Sequence, residues 1–409
     1  MKRYSEYKDS GVKWIGEIPG HWKIVRLKFV TENLDYLREP ISAELRERKN
    51  PQYDYYGASG IIDKIDHYNV DDKVLLIGED GANLLMRNLP LVYRAEGKFW
   101  VNNHAHILKT RLNDYSFFAH LLESQDYTLF VTGTAQPKLS QFNLGNVPLP
   151  ISPINEQKIM GKYLDSKVAK IDEYISIAEK KIAALEELKQ TIIAEAVTRG
   201  IHKDVPMKDS GVKWIGMIPE HWKVNKIRSH FKERRVKVSD KDFQALSVAK
   251  IGIVPQLEDA CKTDNGDNRK QVLKGDFVVN SRSDRKGSCG ISPLDGSVSL
   301  INIVLRPFDI VQEYVHYLFR SYNYIEEFYR NGRGIVADLW TTRYSEMRNI
   351  QIPFPPLSEQ QEIVTYIETK VANINQLCQA ERSQIEKLKE YKQRLISDVV
   401  TGKVKVTND

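Results

Sequence analysis

Cysteine is scarce in this chain: 409 residues hold Cys261, Cys289 and Cys378 and no others. An odd number without ligand-like spacing supplies neither a disulfide framework nor a zinc site, so the expectation is three reduced thiols in a cytoplasmic protein. Long apolar runs are missing as well. Nothing approaches the roughly 18 residues of a membrane-spanning helix, and the opening MKRYSEYKDS has no apolar signal-peptide core. No membrane association is expected. Catalytic signatures are also absent: there is no Walker A loop, no GxGxxG after a strand, no HExxH and no GxSxG. Nor is there the Asp/Asn-Pro-Pro-aromatic motif of a DNA-adenine methyltransferase. The nine histidines form no ligand cluster. Glu187-Leu188-Lys189 matches the ExK of a nuclease core formally, but it lies in a helical seam and reads as a solvated helix face. No catalytic residue and no metal site are expected.

What the chain does have is a sentence said twice. KDSGVKWIGEIPGHWK at residues 8–23 returns as KDSGVKWIGMIPEHWK at 208–223. PLPISPINEQ, closing at Gln157, returns as QIPFPPLSEQ, closing at Gln360, an offset of 203. A period this long indicates a duplicated domain pair and not a solenoid. Between the matching ends the two fillings differ almost completely, so one scaffold presents two unlike surfaces. Residues 20–152 carry 15 Lys/Arg against 16 Asp/Glu, whereas residues 220–355 carry 22 against 17. The second filling is basic and the first near neutral, a balance compatible with a polyanionic partner without requiring one.

Each half ends in a helical pattern. From Leu164 the apolar positions run Val168, Ile171, Ile175, Ala178, Ile182, Leu185, Leu188, Ile192 and Ala196. At +203 they become Ile367, Val371, Ile374, Cys378, Glu381, Ile385, Leu388, Tyr391, Leu395 and Val399. Steps of three and four mark one seam on a helix, with Glu381 the weak rung. About 46 residues of helix extend on the order of 70 Å. Such a seam needs a partner, and the expectation is that the two helices pack antiparallel on each other. Asn155 and Ser358 are the expected N-caps, with Glu156 and Glu359 at the positive helix end, and Gly200 and Gly402 the stops. The fillings read as mixed α/β, with strands over 73–78, 100–108, 276–280 and 297–305, helical aromatic patterns over 115–130 and 310–329, and a turn at Gly57-Ala58-Ser59-Gly60.

Loops rich in Arg, Lys, Gly, Asn and Gln are the remaining candidates, since Arg reads guanine, Asn or Gln reads adenine, and Lys or Ser holds phosphates. In the second filling these are Arg234, Arg235 and Lys237; Arg282, Ser283, Arg285 and Lys286 within residues 281–287; Arg333 within 331–334; and Arg343. In the first they are residues 79–83 with Arg87, and residues 133–141 with Gln136, Lys138 and Ser140. Asn102, His104 and His106 fall in a predicted strand that reads either as a polar binding edge or as an internally satisfied one.

The doubled KDSGVKWIG-x-IP-x-HW signature, the GTAQPKLS segment before the first hinge, and the PLPISPINEQ and QIPFPPLSEQ helix entries resemble the specificity (S) subunit of type I restriction–modification systems, over nearly the whole chain. The resemblance implies an α/β (α+β) fold: two globular target recognition domains joined by two long antiparallel coiled-coil helices, with an internal pseudo-two-fold repeat. It places recognition domain 1 at residues 1–152, helical region 1 at 153–203, recognition domain 2 at 204–355 and helical region 2 at 356–409. Each recognition domain is then expected to read one half of an asymmetric bipartite site on double-stranded DNA. The helices, paired through Val168, Ile171, Ile175, Ile182, Leu185, Ile192, Val371, Ile374, Ile385, Leu388, Leu395 and Val399, are expected to set the spacer and dock two methyltransferase (M) subunits. Restriction/translocase (R) subunits would join for cleavage. The chain itself is then not an enzyme and binds no cofactor; AdoMet, ATP and Mg belong to the partner subunits that methylate adenine and restrict DNA. One departure stands out. The second filling has Gly334-Ile335-Val336-Ala337-Asp338-Leu339-Trp340 where the first has its Gln136-to-Ser140 segment, two residues longer and without the Gln. Two other readings stay open from residues alone: a coiled-coil adaptor with two protein-binding heads, and the targeting half of a fused methyltransferase–nuclease.

Overall fold

A computed structural model describes residues 2–46, 51–133, 136–257, 266–334 and 340–407. Cys261, the Thr134–Ala135 part of the first candidate loop and residues 335–339 lie outside the described residues. The chain divides into two compact units, one of residues 1–178 with 383–409, the other of residues 179–382. The division falls inside both long helices, Ile154–Arg199 and Leu357–Val400, so each unit holds the beginning of one and the end of the other.

In the first unit a six-stranded sheet runs in the order Thr31–Asn33, Ala105–Thr110, Val70–Gly78, Val92–Val101, Tyr53–Gly57, Gly60–Ile65. Its pairings are antiparallel apart from the parallel one at Tyr55 and Trp100. The period-2 alternation of the central strand explains the packing. Leu75 and Ile77 join the cluster that includes Phe117, Phe118, Leu121 and Leu122 of helix Tyr115–Glu123. Val74 and Leu76 face the other way, onto Tyr56, Phe99 and Ile107. Asp114 caps that helix by accepting from the Phe117 amide at 2.9 Å.

The second unit follows the same logic with different strands. A four-stranded sheet orders Phe231–Glu233, Asn302–Pro307, Phe277–Asn280 and Cys289–Ile291; a three-stranded one orders Lys237–Val238, Arg269–Val272 and Gly296–Ser299. Phe277, Val279, Ile303 and Leu305 pack with Tyr314, Phe319 and Phe328 of helices Gln312–Arg320 and Tyr322–Arg330. Val278 and Val304 turn to Leu246, Val272 and Val298.

Several boundaries differ from the sequence reading. Residues 100–108 form two strands and a turn, because the Asn102 side chain accepts from the His104 amide at 2.8 Å and bends the chain there. His104 and His106 therefore do not alternate along one strand. Residues 297–305 likewise split around Leu300 and Ile301, and the 310–329 helix breaks at Ser321, which is extended at ψ 142°. Asn155 and Ser358 are not caps: the Gln157 and Gln360 amides donate to the carbonyls of Pro153 and Pro356, so each helix starts one residue after a proline. Gly200 and Gly402 end the helices at φ 77° and 75°, as the sequence indicates.

The repeated signatures build the same joint in each unit. In the first, Glu156 accepts from Tyr4 Oη at 2.9 Å and Trp22 Nε1 at 3.1 Å, and meets His21 Nε2 at 2.7 Å. In the second, Glu359 meets His221 at 2.7 Å, while the buried Trp222 Nε1 has no hydrogen-bond partner among the described residues. The next residue faces the filling. Gln157 accepts from the Asp114 amide at 3.0 Å and donates to the Ser152 carbonyl at 2.8 Å. Gln360 accepts from the Val311 amide and donates to the Pro355 carbonyl, both at 2.9 Å. Each Glu-Gln pair thus binds the signature on one side and the globular head on the other.

Along the helices the seam alternates strictly by four and three, through 171, 175, 178, 182, 185, 189, 192 and 196 and again through 374, 378, 381, 385, 388, 392, 395 and 399. Leu188 and Tyr391, expected in the seam, are about half exposed, at 48% and 50%. Lys189 and Lys392 take their places. In the second unit Lys189 reaches Asn375 Oδ1 at 3.3 Å; in the first Lys392 reaches Asp172 Oδ1 at 2.7 Å. Both acceptors are related by the 203-residue offset, so the polar rung is itself duplicated. Glu381, the weak rung, pairs with Lys181, and Arg382 stands 3.7 Å from Glu186. Rising numbers on one helix meet falling numbers on the other, which is antiparallel packing. Ile171, Ile374, Ile385, Leu395 and Val399 are buried; Val168, Ile175, Ile182, Leu185, Ile192, Val371 and Leu388 are half-buried.

Candidate nucleic-acid interface

In the first unit, candidate groups converge where strand Val70–Gly78 ends and its antiparallel neighbour Ala105–Thr110 begins. The two-residue strand Lys138–Leu139 lies against Glu79 and Asp80: the Leu139 amide donates to the Glu79 carbonyl at 2.9 Å and the Gly81 amide to Pro137 at 2.6 Å. Gly81 is required there, because a Cβ would stand 2.8 Å from the Pro137 carbonyl carbon and oxygen. Beneath this segment, His106 spans Asp35 Oδ2 at 2.6 Å and the Leu139 carbonyl at 2.7 Å. Arg38 links Asp35 to Glu79, at 3.5 and 2.8 Å, and Lys138 Nζ stands 3.5 Å from Glu79. Charges alternate from the buried Asp35 outward through Arg38 and Glu79 to Lys138. Burial pushes the Asp35 carboxyl upward, but the hydrogen bond and charge of His106, with the Ile107 amide, outweigh it and hold Asp35 below the usual carboxylate range.

Gln136 and Lys138 are exposed on this segment, and Ser140 caps the following turn by accepting from the Asn143 amide at 3.2 Å. His104 sits in the turn, 3.1 Å from Asp80. Asn102 is buried and shapes that turn instead of facing solvent. Arg87 needs a correction. It is left-handed at φ 53°, and its guanidinium donates to the Glu123 and Gln125 carbonyls, so it caps a helix end and is not a free cation.

In the second unit, backbone bridges stitch together segments far apart in sequence. The Arg333 and Thr341 amides exchange hydrogen bonds of 2.9 Å, Thr342 donates to Ser281 at 3.0 Å, and Ser283 donates to Trp340 at 3.1 Å. Tyr329 Oη reaches the Asn280 and Arg285 carbonyls at 3.2 and 3.3 Å, and Lys286 Nζ lies 5.6 Å over its ring. An open cleft of about 660 Å³ runs between Ser283, Lys286, Glu326, Tyr329, Arg330 and Trp340. The cationic rim is Arg282, Arg285, Lys286, Arg333 and Arg343, all exposed. Asp284 stands 3.4 Å from Arg282 and 3.7 Å from Arg285, and Lys286 pairs with Glu326 at 3.0 Å. Partners this exposed hold their cations weakly and release them to a stronger anion.

The Arg234, Arg235 and Lys237 group divides. Arg234 forms a two-point pair with the buried Asp276, at 2.6 and 3.1 Å, which fixes the turn ahead of Phe277 and withdraws Arg234 from any external contact. Arg235 is exposed beside Glu233, and Lys237 is exposed with no ion pair among the described residues. Sequence reasoning missed Asp35, Arg38, Tyr329 and Arg330. Asp35 lies 71 positions from His106, and no local pattern connects residues at such a distance. Among the described residues no group of three His, Cys, Asp or Glu side chains could hold a metal ion, and no helix is long and apolar enough to cross a membrane.

Comparison with known proteins bears on this arrangement. The family model for the type I restriction modification DNA specificity domain matches residues 19–187 and 234–387. The MjaVIII type I restriction enzyme specificity subunit of Methanocaldococcus jannaschii is 22% identical over 98% of both chains. A Haemophilus influenzae protein assigned as such a subunit is 34% identical over 37% of this chain, a match spanning only 38% of that protein. Among solved structures, one from work on assembly and conformational transition of the type I R-M system superposes with a TM-score of 0.67 at 16% identity, covering 95% of this chain and 99% of the other. The HsdS subunit of Thermoanaerobacter tengcongensis gives a TM-score of 0.50 at 17% identity, covering 95% and 98%. At these identities the structures speak for the fold.

Proposed function

The chain belongs to the family of type I restriction modification DNA specificity domains, and we propose from that premise how it divides the work of recognition. It is a specificity subunit, the component of a type I restriction–modification system concerned with DNA recognition. Each head reads one short half of an asymmetric bipartite site on double-stranded DNA. The observation that carries this reading is the pair of joints at Glu156-Gln157 and Glu359-Gln360, which seat two unlike heads in like surroundings. Like seats suit two copies of one partner, the methyltransferase subunits; unlike heads suit two different half-sites.

In the first head the reading surface is the Gln136, Lys138 and Ser140 segment with His104. In the second it is the rim of Arg282, Ser283, Arg285, Lys286, Arg333 and Arg343, with Arg235 and Lys237 as outlying phosphate contacts. Arg and Gln side chains on such rims address base edges, and Lys and Ser address the backbone. The long helices, 46 and 44 residues, set the separation of the half-sites, because spacing in bipartite binders follows protein geometry. Adenine methylation and DNA cleavage fall to partner chains, the M and R subunits, which would carry AdoMet, ATP and Mg.

The test is a genome-wide map of N6-methyladenine with and without this gene. Loss of methylation at one motif of two short blocks around a fixed gap is the expected result and gives both half-sites. An unchanged map in a host whose partner methyltransferase is active would overturn the proposal and favour the protein adaptor.

A further inference from the structure

The His106 ring is 1% exposed and has an acceptor at each nitrogen. The Leu139 carbonyl, 2.7 Å from Nε2, can only accept, so Nε2 carries a proton. Nδ1 lies 2.6 Å from Asp35 Oδ2, a contact that needs a second proton between nitrogen and oxygen, while Asp35 Oδ1 already accepts from the Ile107 amide at 2.8 Å. Ring and carboxylate therefore hold one proton more than a neutral histidine brings. Arg38, Glu79 and Lys138 face the pair from the neighbouring elements, and Asp80 and His104 flank it. Without that proton a lone pair would oppose either the carboxylate or the Leu139 carbonyl, in a site closed to water.

We propose that His106 is a positioning residue for the first head's reading segment, and that reading of the first half-site requires its bridge from Asp35 to the Leu139 carbonyl. This rests on the DNA-reading role proposed above and adds what fixes one reading segment in place. Leu139 sits between Lys138 and Ser140, so release of its carbonyl frees the segment that carries them. The second head joins its segments through backbone bridges at Arg333–Thr341 and Ser283–Trp340. Loss of the His106 bridge therefore falls on one half-site alone, and the other serves as an internal control.

The experiment selects bound duplexes from a randomised library, using the intact complex with its methyltransferase subunits. The wild type should enrich two blocks. His106→Phe should lose the first block about tenfold or more, the scale of one good base contact, and keep the second. Asp35→Asn should keep the first block, because a carboxamide accepts from Ile107 through oxygen and donates to Nδ1 through nitrogen. Gly81→Ala pushes on Pro137 from the other side and should mimic His106→Phe, which decides the matter if the Phe variant misfolds. Undiminished first-block enrichment in both His106→Phe and Gly81→Ala would overturn the proposal. A wild type that enriches no block would instead overturn the DNA-reading role beneath it.

Discussion

Gly402 closes the second long helix at φ 75°, and a Cβ there would stand 2.4 Å from Pro19 Cδ. Its counterpart Gly200, at φ 77°, has Trp222 Cζ2 as the nearest atom, at 3.1 Å. Alanine at either site should cost about 1–2 kcal/mol for the left-handed backbone alone. Gly402→Ala should cost more, since rigid proline atoms cannot move aside; equal shifts in thermal unfolding would contradict this. Asp165 offers a second test at the same scale. It joins the first long helix to the head through Arg94 at 2.7 Å and His120 at 2.8 Å. Burial raises its carboxyl, but hydrogen bonds from Arg94, Ser116 and His120 prevail and lower it to about 2. A depressed carboxylate stabilises the fold above its unfolded range, near about 3.9, and the effect is lost as pH falls toward the folded value. The stability gap between wild type and Asp165→Asn should be constant at neutral pH, narrow below about 4 and close near 2. The carboxylate is 38% exposed, so solvent screening keeps that gap small.

At the scale of elements, the long helices show where apolarity misleads. Leu188 and Tyr391 look like seam residues because they are apolar, yet strict alternation by four and three selects Lys189 and Lys392. The alternation was in the sequence throughout, and the phase of the repeat outranks the chemistry of any one member. A polar rung of this kind fixes register at some cost in stability. Replacing Lys189 and Lys392 together by Leu should raise stability by about 1 kcal/mol per site, less than full burial of a Leu provides because the seam is partly exposed. A fall in the thermal midpoint would show that the Asn375 and Asp172 contacts matter more than packing. The strands were legible where an apolar run went uninterrupted, as over residues 73–78 within Val70–Gly78. They were misread where one side chain, such as Asn102, supplied the turn.

At the scale of the whole molecule, duplication is the governing fact. Each long helix starts at one Glu-Gln joint and ends at a glycine beside the other signature tryptophan, Trp222 for Gly200 and Trp22 for Gly402. Helix length therefore enters both seats. If the helices set the half-site gap, four residues inserted beside Leu188 add about 6 Å and should lengthen the gap by no more than about two base pairs. Methylome sequencing should then show both half-site sequences unchanged; altered half-sites would contradict a ruler.

The sequence alone determined the frame: two repeated signatures, two helices of nearly equal length, their glycine stops, and the family these belong to. Such features are local or periodic, and 3.6-residue or 203-residue spacing can be read without knowing what lies across a contact. Tertiary structure alone decided which candidates face outward. Arg234 is consumed by Asp276, Arg87 by two carbonyls and Asn102 by a turn, whereas Arg285, Arg333 and Arg343 remain on the surface. It also brought His106 to Asp35 and Leu139. A side chain is free or engaged according to what the fold places beside it, and those neighbours come from distant parts of the chain.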